Sequence, residues 1–163
     1  MNLEAFKAHV AKHAPRLLEQ RRWCCWKAVD RGNGKVSKPP IDPQTGKPVD
    51  IRTNNDNLMT FDKARGFYVV GACDGVGVVT GEIDGFPLCG IDLDNIFDEK
   101  SFPLPGWEET AVRVLEGGYC EYSPSGRGLR GLAICYKPAG YREKVNVDGH
   151  DVEVRFDRQY MTI

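Results

Sequence analysis

Asp92 and Asp94 stand two residues apart at the end of the apolar run Leu88 to Asp94. In an extended strand, residues i and i+2 project from the same face. Two carboxylates side by side repel each other, and burying them is costly unless a cation or hydrogen-bond donors compensate. A hard divalent cation such as Mg²⁺ or Mn²⁺ compensates through oxygen ligands. Asn95 follows at once, consistent with a strand that ends at the edge of a site. A lone D-x-D pair is more often a solvent-facing strand end, so its meaning depends on what else reaches it.

Glu153 is the first such residue. It alternates with Val152, Val154 and Phe156, so with Asp151 and Arg155 it faces away from the apolar set. If its strand neighbours that of Asp92, it adds a third carboxylate. Three acidic groups can hold two metal ions, one lowering the pKa of an attacking hydroxyl and one stabilising a leaving group. Asp157 is the rival third ligand, at the strand end before a basic residue, and a merely exposed Glu153 is the bland alternative. Between the two strands runs Ser123-Pro124-Ser125-Gly126-Arg127-Gly128-Leu129-Arg130. Its proline fixes φ, its glycines let the backbone approach an anion, and its hydroxyls and guanidiniums suit a triphosphate. As an isolated string it is only a turn.

Taken as a set, these pieces resemble the bifunctional primase-polymerase domain of the archaeo-eukaryotic primase superfamily, as carried by phage, prophage and plasmid replication proteins. The matching residues are Trp23 with Trp26, Lys38-Pro39-Pro40, Asp92-Leu93-Asp94, Ser123-Pro124-Ser125-Gly126 through Leu129, and Val152-Glu153-Val154 with Arg158, Tyr160 and Thr162. The resemblance implies a DNA primase/polymerase, a metal-dependent nucleotidyltransferase that joins nucleoside triphosphates on a single-stranded DNA template. Asp92, Asp94 and Glu153 would be its catalytic metal ligands for Mg²⁺ or Mn²⁺, in a two-metal site. Lys38, Ser123, Ser125, Gly126, Arg127, Gly128, Arg130 and Arg158 would contact the nucleotide. The implied partners are nucleoside triphosphates, template and primer DNA, and a fused or associated helicase, with no membrane. The implied fold is α+β: an RRM-like mixed or antiparallel catalytic sheet with flanking helices and an N-terminal α/β unit. One departure stands out, because the family often has a histidine where this chain has Arg130. Arginine binds phosphate bidentately but does not titrate near neutral pH, so anion binding survives the change and proton transfer there does not. A non-catalytic nucleic-acid or origin-binding module of the same fold, and a metal-dependent nuclease, are the alternatives.

The elements that must position these residues follow from pattern. Asn2 is placed to cap a helix burying Leu3, Phe6, Val10, Leu17 and Leu18, broken by Pro15. His9 and His13, at i and i+4 on that helix, read as surface residues for want of a third ligand. Strands are expected at Trp23 to Val29, Lys35 to Ser37, Val76 to Thr80 and Leu88 to Asp94, with a turn at Glu82 to Gly85. Lys38 to Arg52 reads as an irregular loop, and Thr60 to Tyr68 as a short helix. A helix is expected over Trp107 to Glu116, stopped by Gly117-Gly118. Strands follow at Tyr119 to Tyr122, Leu129 to Tyr136, Val145 to Val147, Asp151 to Phe156 and Tyr160 to Ile163. Mixed order with several hairpins indicates an α+β sandwich rather than a doubly wound sheet.

At 163 residues the chain is expected to form one domain, 1–163, and, with strand character running to its last residue, an N-terminal piece of a longer replication protein. With 41% hydrophobic and 28% charged residues, composition excludes disorder as the default. Net charge of −1 argues against bulk electrostatic coating of DNA, but basic residues cluster locally, as at Arg127 and Arg130 and at Arg155 and Arg158. Without an apolar N-terminal run the expected location is the cytoplasm. The six cysteines contain no C-x-x-C pair and read as small buried hydrophobes rather than zinc ligands or a disulfide framework.

Overall fold

The computed structural model describes residues 2–32, 34, 36–53, 55–110, 119–123 and 126–163. Two compact units divide it: Met1–Val79 with Arg158–Ile163, and Thr80–Asp157.

The first unit opens with α1 (Leu3–His13), whose Asn2 Oδ1 accepts from the Glu4 N–H at 3.0 Å and the Ala5 N–H at 3.4 Å. The cap satisfies N–H groups that a helix start leaves without partners. Phe6 and Val10 are buried, one turn apart. Pro15 ends this register and starts α2 (Pro15–Glu19), where a missing N–H costs nothing. The strand β1 (Trp23–Trp26) is shorter at its C-terminal end than its pattern suggests, because Val29 belongs to a separate exposed hairpin. That hairpin pairs β2 (Val29–Asp30) with β3 (Val36–Ser37), while Asn33 and Lys35 lie outside the described residues.

A further difference is β4 (Pro40–Ile41), within the stretch expected to be irregular. It pairs with β1 at the sheet edge, where proline's missing N–H breaks no ladder. The helix α3 (Phe61–Val69) and the fully buried β5 (Gly75–Val79) complete this stretch, and β5 runs antiparallel to β1. Trp23 organises the core. Its ring meets Phe6 at 5.5 Å and Phe61 at 4.9 Å, both edge-on, and its Nε1–H donates to Leu17 O at 2.9 Å.

The second unit begins with β6 (Gly81–Ile83) and β7 (Phe86–Leu93), joined at Asp84-Gly85, both with positive φ. The turn is thus two residues, not four, because a D-G pair supplies the left-handed conformations a tight hairpin requires. Glu82 and Ile83 pair with Pro87 and Phe86. Glu108, Glu109 and Thr110 are helical, and the rest of the expected helix and its glycine stop lie outside the described residues. Then come β8 (Tyr119–Tyr122), β9 (Leu129–Ala133), β10 (Lys144–Val147) and β11 (His150–Arg155). The last two form a hairpin over Asp148-Gly149, again both at positive φ.

The sheet order is β10-β11-β7-β9-β8, with β6 also on β7, and every described pairing is antiparallel. One face packs Leu93, Ile96, Phe97, Trp107 and Leu129 into a core that Ile91, Cys120 and Val152 extend.

Finally β12 (Tyr160–Thr162) joins the first unit, pairing with β5 to give the order β12-β5-β1-β4. The whole is a mixed α+β fold with antiparallel sheets and flanking helices. Among the described residues no helix is long and apolar enough to cross a membrane.

Candidate functional site

The register of the second unit's sheet decides which side chains meet. Asp92 lies directly opposite Glu153 on β11 and directly opposite Arg130 on β9. Beyond these, Glu153 faces Lys144 on β10 and Arg130 faces Glu121 on β8. Directly opposed residues share a face. Five strands therefore carry one transverse row, Lys144–Glu153–Asp92–Arg130–Glu121, on the face away from the Ile91, Leu93 and Leu129 core. Glu153 stands directly across from Asp92, which meets the condition that its strand neighbour that of Asp92.

Asp92 sits at the centre of this row and is 7% exposed. Its two oxygens each face a guanidinium, Arg130 Nε and Arg155 Nη2, both at 3.4 Å. Charge-assisted bonds are ordinarily shorter, about 2.7–2.9 Å. The short bond of Arg155 goes to Glu153 instead, Nη2 to Oε2 at 2.7 Å. The two carboxyls respond in opposite directions. Burial pushes Asp92 up from its ordinary range, Asp94 adds repulsion, and Arg130 and Arg155 offset this only in part. Glu153 is held below its ordinary range, chiefly by the Arg155 hydrogen bond and then by Lys144. Lys144 Nζ also holds Asp151 Oδ2 at 2.7 Å. Of these two carboxylates, Asp92 is thus the one whose charge is less compensated.

Asp94 is exposed, just past the end of β7, with its N–H donating to Asp151 O at 3.1 Å. Asn95 then takes a positive φ of 56°, which asparagine tolerates, and turns the chain inward to buried Ile96 and Phe97. Among the described residues, no three His, Cys, Asp or Glu side chains gather closely enough to hold a metal ion. Instead, the guanidinium of Arg155 reaches both Asp92 and Glu153. In kind the donor set still suits a hard cation, being all carboxylate oxygen with Asp92 left under-compensated.

The loop between β8 and β9 is fastened to this site. Ser123 closes it: the Ser123 N–H donates to Gly128 O at 2.8 Å, and Ser123 Oγ accepts from the Gly128 N–H at 3.0 Å. The Gly126 N–H donates to Ser123 O at 2.8 Å. Two amides expected to face an anion are therefore turned into the loop, which changes what the loop can offer. A Cβ at Gly128 would overlap the Leu93 carbonyl oxygen, so only glycine lets the loop lie against the end of β7. The Phe97 N–H donating to Arg127 O at 3.1 Å ties it to the segment beyond Asp94. Arg127 is exposed and Arg130 half-buried, whereas Pro124 and Ser125 lie outside the described residues.

Lys38 and Arg158 belong to the other unit. Lys38 Nζ rests 4.8 Å from the centre of a Trp26 ring. Arg158 donates to Ile51 O at 2.9 Å, Arg52 O at 2.6 Å and Asn55 Oδ1 at 2.7 Å, which gives it a structural task in fastening that loop. Arg155, Lys144 and Glu121 were not among the sequence candidates. For Arg155 a signal existed, since it lies two residues from Glu153; for the other two only the pairing register reveals it.

No family model matches this chain, and no curated protein matches it.

Proposed function

We propose that the second unit is the catalytic part of a metal-dependent nucleotidyltransferase, a DNA primase or polymerase acting on a single-stranded DNA template. The observation that carries this reading is the register that sets Glu153 opposite Asp92, with Gly128 packed against Leu93 at the end of the same strand. Strand order adds support. Inserting β9 between β7 and β8, with β11 on the other side of β7 and helical residues between β7 and β8, is a split β-α-β arrangement, consistent with an RRM-like sheet.

Asp92, Asp94 and Glu153 would hold Mg²⁺ or Mn²⁺, which when bound supplies positive charge at the phosphates and makes a hydroxyl more acidic. The chain's own residues do the rest. Arg130, beside Asp92, offers a fixed positive charge to a phosphate oxygen, and exposed Arg127 offers another. Arg155 holds Glu153 ionised and limits its repulsion with Asp92. Reaction then depends on positioning and charge stabilisation rather than on a covalent intermediate.

Labelled-nucleotide incorporation on single-stranded template with Mg²⁺ or Mn²⁺ tests the proposal. Asp92→Ala/Asp94→Ala is expected to lower incorporation about 100-fold or more. Undiminished incorporation by that variant refutes the site. A second reading, a non-catalytic nucleic-acid-binding module, draws support from one feature: the Arg155 guanidinium bridges Asp92 and Glu153. It predicts template binding that is indifferent to divalent cations, with no incorporation.

A further inference from the structure

We infer that Cys89 and Cys135 form a peroxide-responsive disulfide, a modification site independent of the nucleotidyltransferase reading. Cys89 lies on β7 and is 1% exposed, whereas Cys135, two residues beyond β9, is half-buried. Their sulfurs are 2.9 Å apart, the Cys135 thiol donating to Cys89 Sγ. The contact is built by the sheet. Cys89 pairs across the ladder with Ala133, and Cys135 follows Ala133 by two residues, which brings it diagonally over β7. Both thiols are free. Burial, with Cys135 beside it, pushes the Cys89 thiol up to about 12.

Exposure divides the roles. Cys135, the more accessible sulfur, reacts first: it gives up its proton, its thiolate attacks a peroxide oxygen, the O–O bond breaks, and the departing hydroxide or alkoxide takes up that proton as water or an alcohol, leaving a sulfenic acid. Cys89 sulfur then attacks the sulfenic sulfur, the S–O bond breaks, and the departing hydroxide takes the Cys89 proton as water. The thiol pair loses two electrons, and the peroxide gains them. The new bond ties β7 to the chain leaving β9, the two strands that hold Asp92 opposite Arg130. Reducing agents reverse it by thiol–disulfide exchange.

The test treats the whole chain with hydrogen peroxide, alkylates remaining thiols under denaturing conditions, and maps the cysteines by mass spectrometry. Cys89 and Cys135 are expected to escape alkylation as one linked peptide pair, and dithiothreitol should return both. In Cys135→Ser, Cys89 should stay alkylatable after the same treatment. Cys120→Ser, a half-buried cysteine on the same sheet, should leave the linked pair intact. The inference is overturned if peroxide leaves both cysteines alkylatable in the unaltered chain. It is equally overturned if Cys135 accumulates as a sulfinic acid while Cys89 remains a thiol, or if Cys89 still forms a disulfide in Cys135→Ser.

Discussion

Gly128→Ala probes the join between the Ser/Gly loop and the D-x-D strand. The added methyl would overlap Leu93 O and come within 3.3 Å of the Leu93 carbonyl carbon and of Ser123 Oγ. Leu93 cannot yield easily: its side chain lies in the core at 2% exposure, and its strand is paired to β11 on one side and β9 on the other. The loop must move instead. Moving it stretches two bonds, Ser123 N–H to Gly128 O and Gly128 N–H to Ser123 Oγ. Each is worth about 1 kcal/mol net, and residual overpacking adds about 1 kcal/mol more, so the expected loss is about 2–3 kcal/mol. Gly126→Ala is the control. Gly126 has a φ of +71° and open space around it, so its loss should be only the left-handed strain of about 1 kcal/mol. Urea unfolding measures both, with amide exchange on β7 and β9 to localise the effect. A loss for Gly128→Ala below about 0.5 kcal/mol, or smaller than that of Gly126→Ala, refutes the packing argument.

Three other outcomes follow from the same geometry. Ser123→Ala leaves the buried Gly128 N–H without its side-chain acceptor and should cost about 1–3 kcal/mol in urea unfolding, with faster exchange at that amide. Arg155→Met should cost roughly 1–2 kcal/mol at neutral pH, less than a wholly buried pair because Arg155 and Glu153 keep 23% and 22% side-chain exposure. Glu153's carboxyl is depressed chiefly by Arg155, so the stability it contributes is present above its ordinary 4.5 and lost as pH falls through the folded value. The gap between Arg155→Met and the unaltered chain should therefore narrow in acid, and a gap independent of pH would contradict the assignment. Arg158→Ala should speed proteolysis near Ile51 and Arg52, since three of its bonds fasten that loop; proteolysis at the unaltered rate would contradict that structural task.

The sequence by itself determined the local elements, because their causes are local. Asn2 caps, Pro15 restarts a helix, and Asp84-Gly85 and Asp148-Gly149 turn hairpins through preferences that belong to those residues. Period-two alternation likewise placed Asp92 on the charged face and Val152 on the apolar one. Where local cues were read too widely, pairing corrected them: Glu82 and Ile83 are strand, and Pro40 is an edge partner of Trp26.

Register was beyond reach of such cues. Which residue of β11 faces Asp92 is fixed by packing Val152 and Leu93 into one core, and a slip of one residue would have put Val152 on the charged face. Only tertiary structure could set Arg130 and Glu153 on either side of Asp92, give Arg155's short bond to Glu153, and turn the loop's amides onto Ser123. Strand and turn preferences act over a few residues. The electrostatics of this site come from side chains drawn from five strands, whose meeting depends on burial of the opposite face.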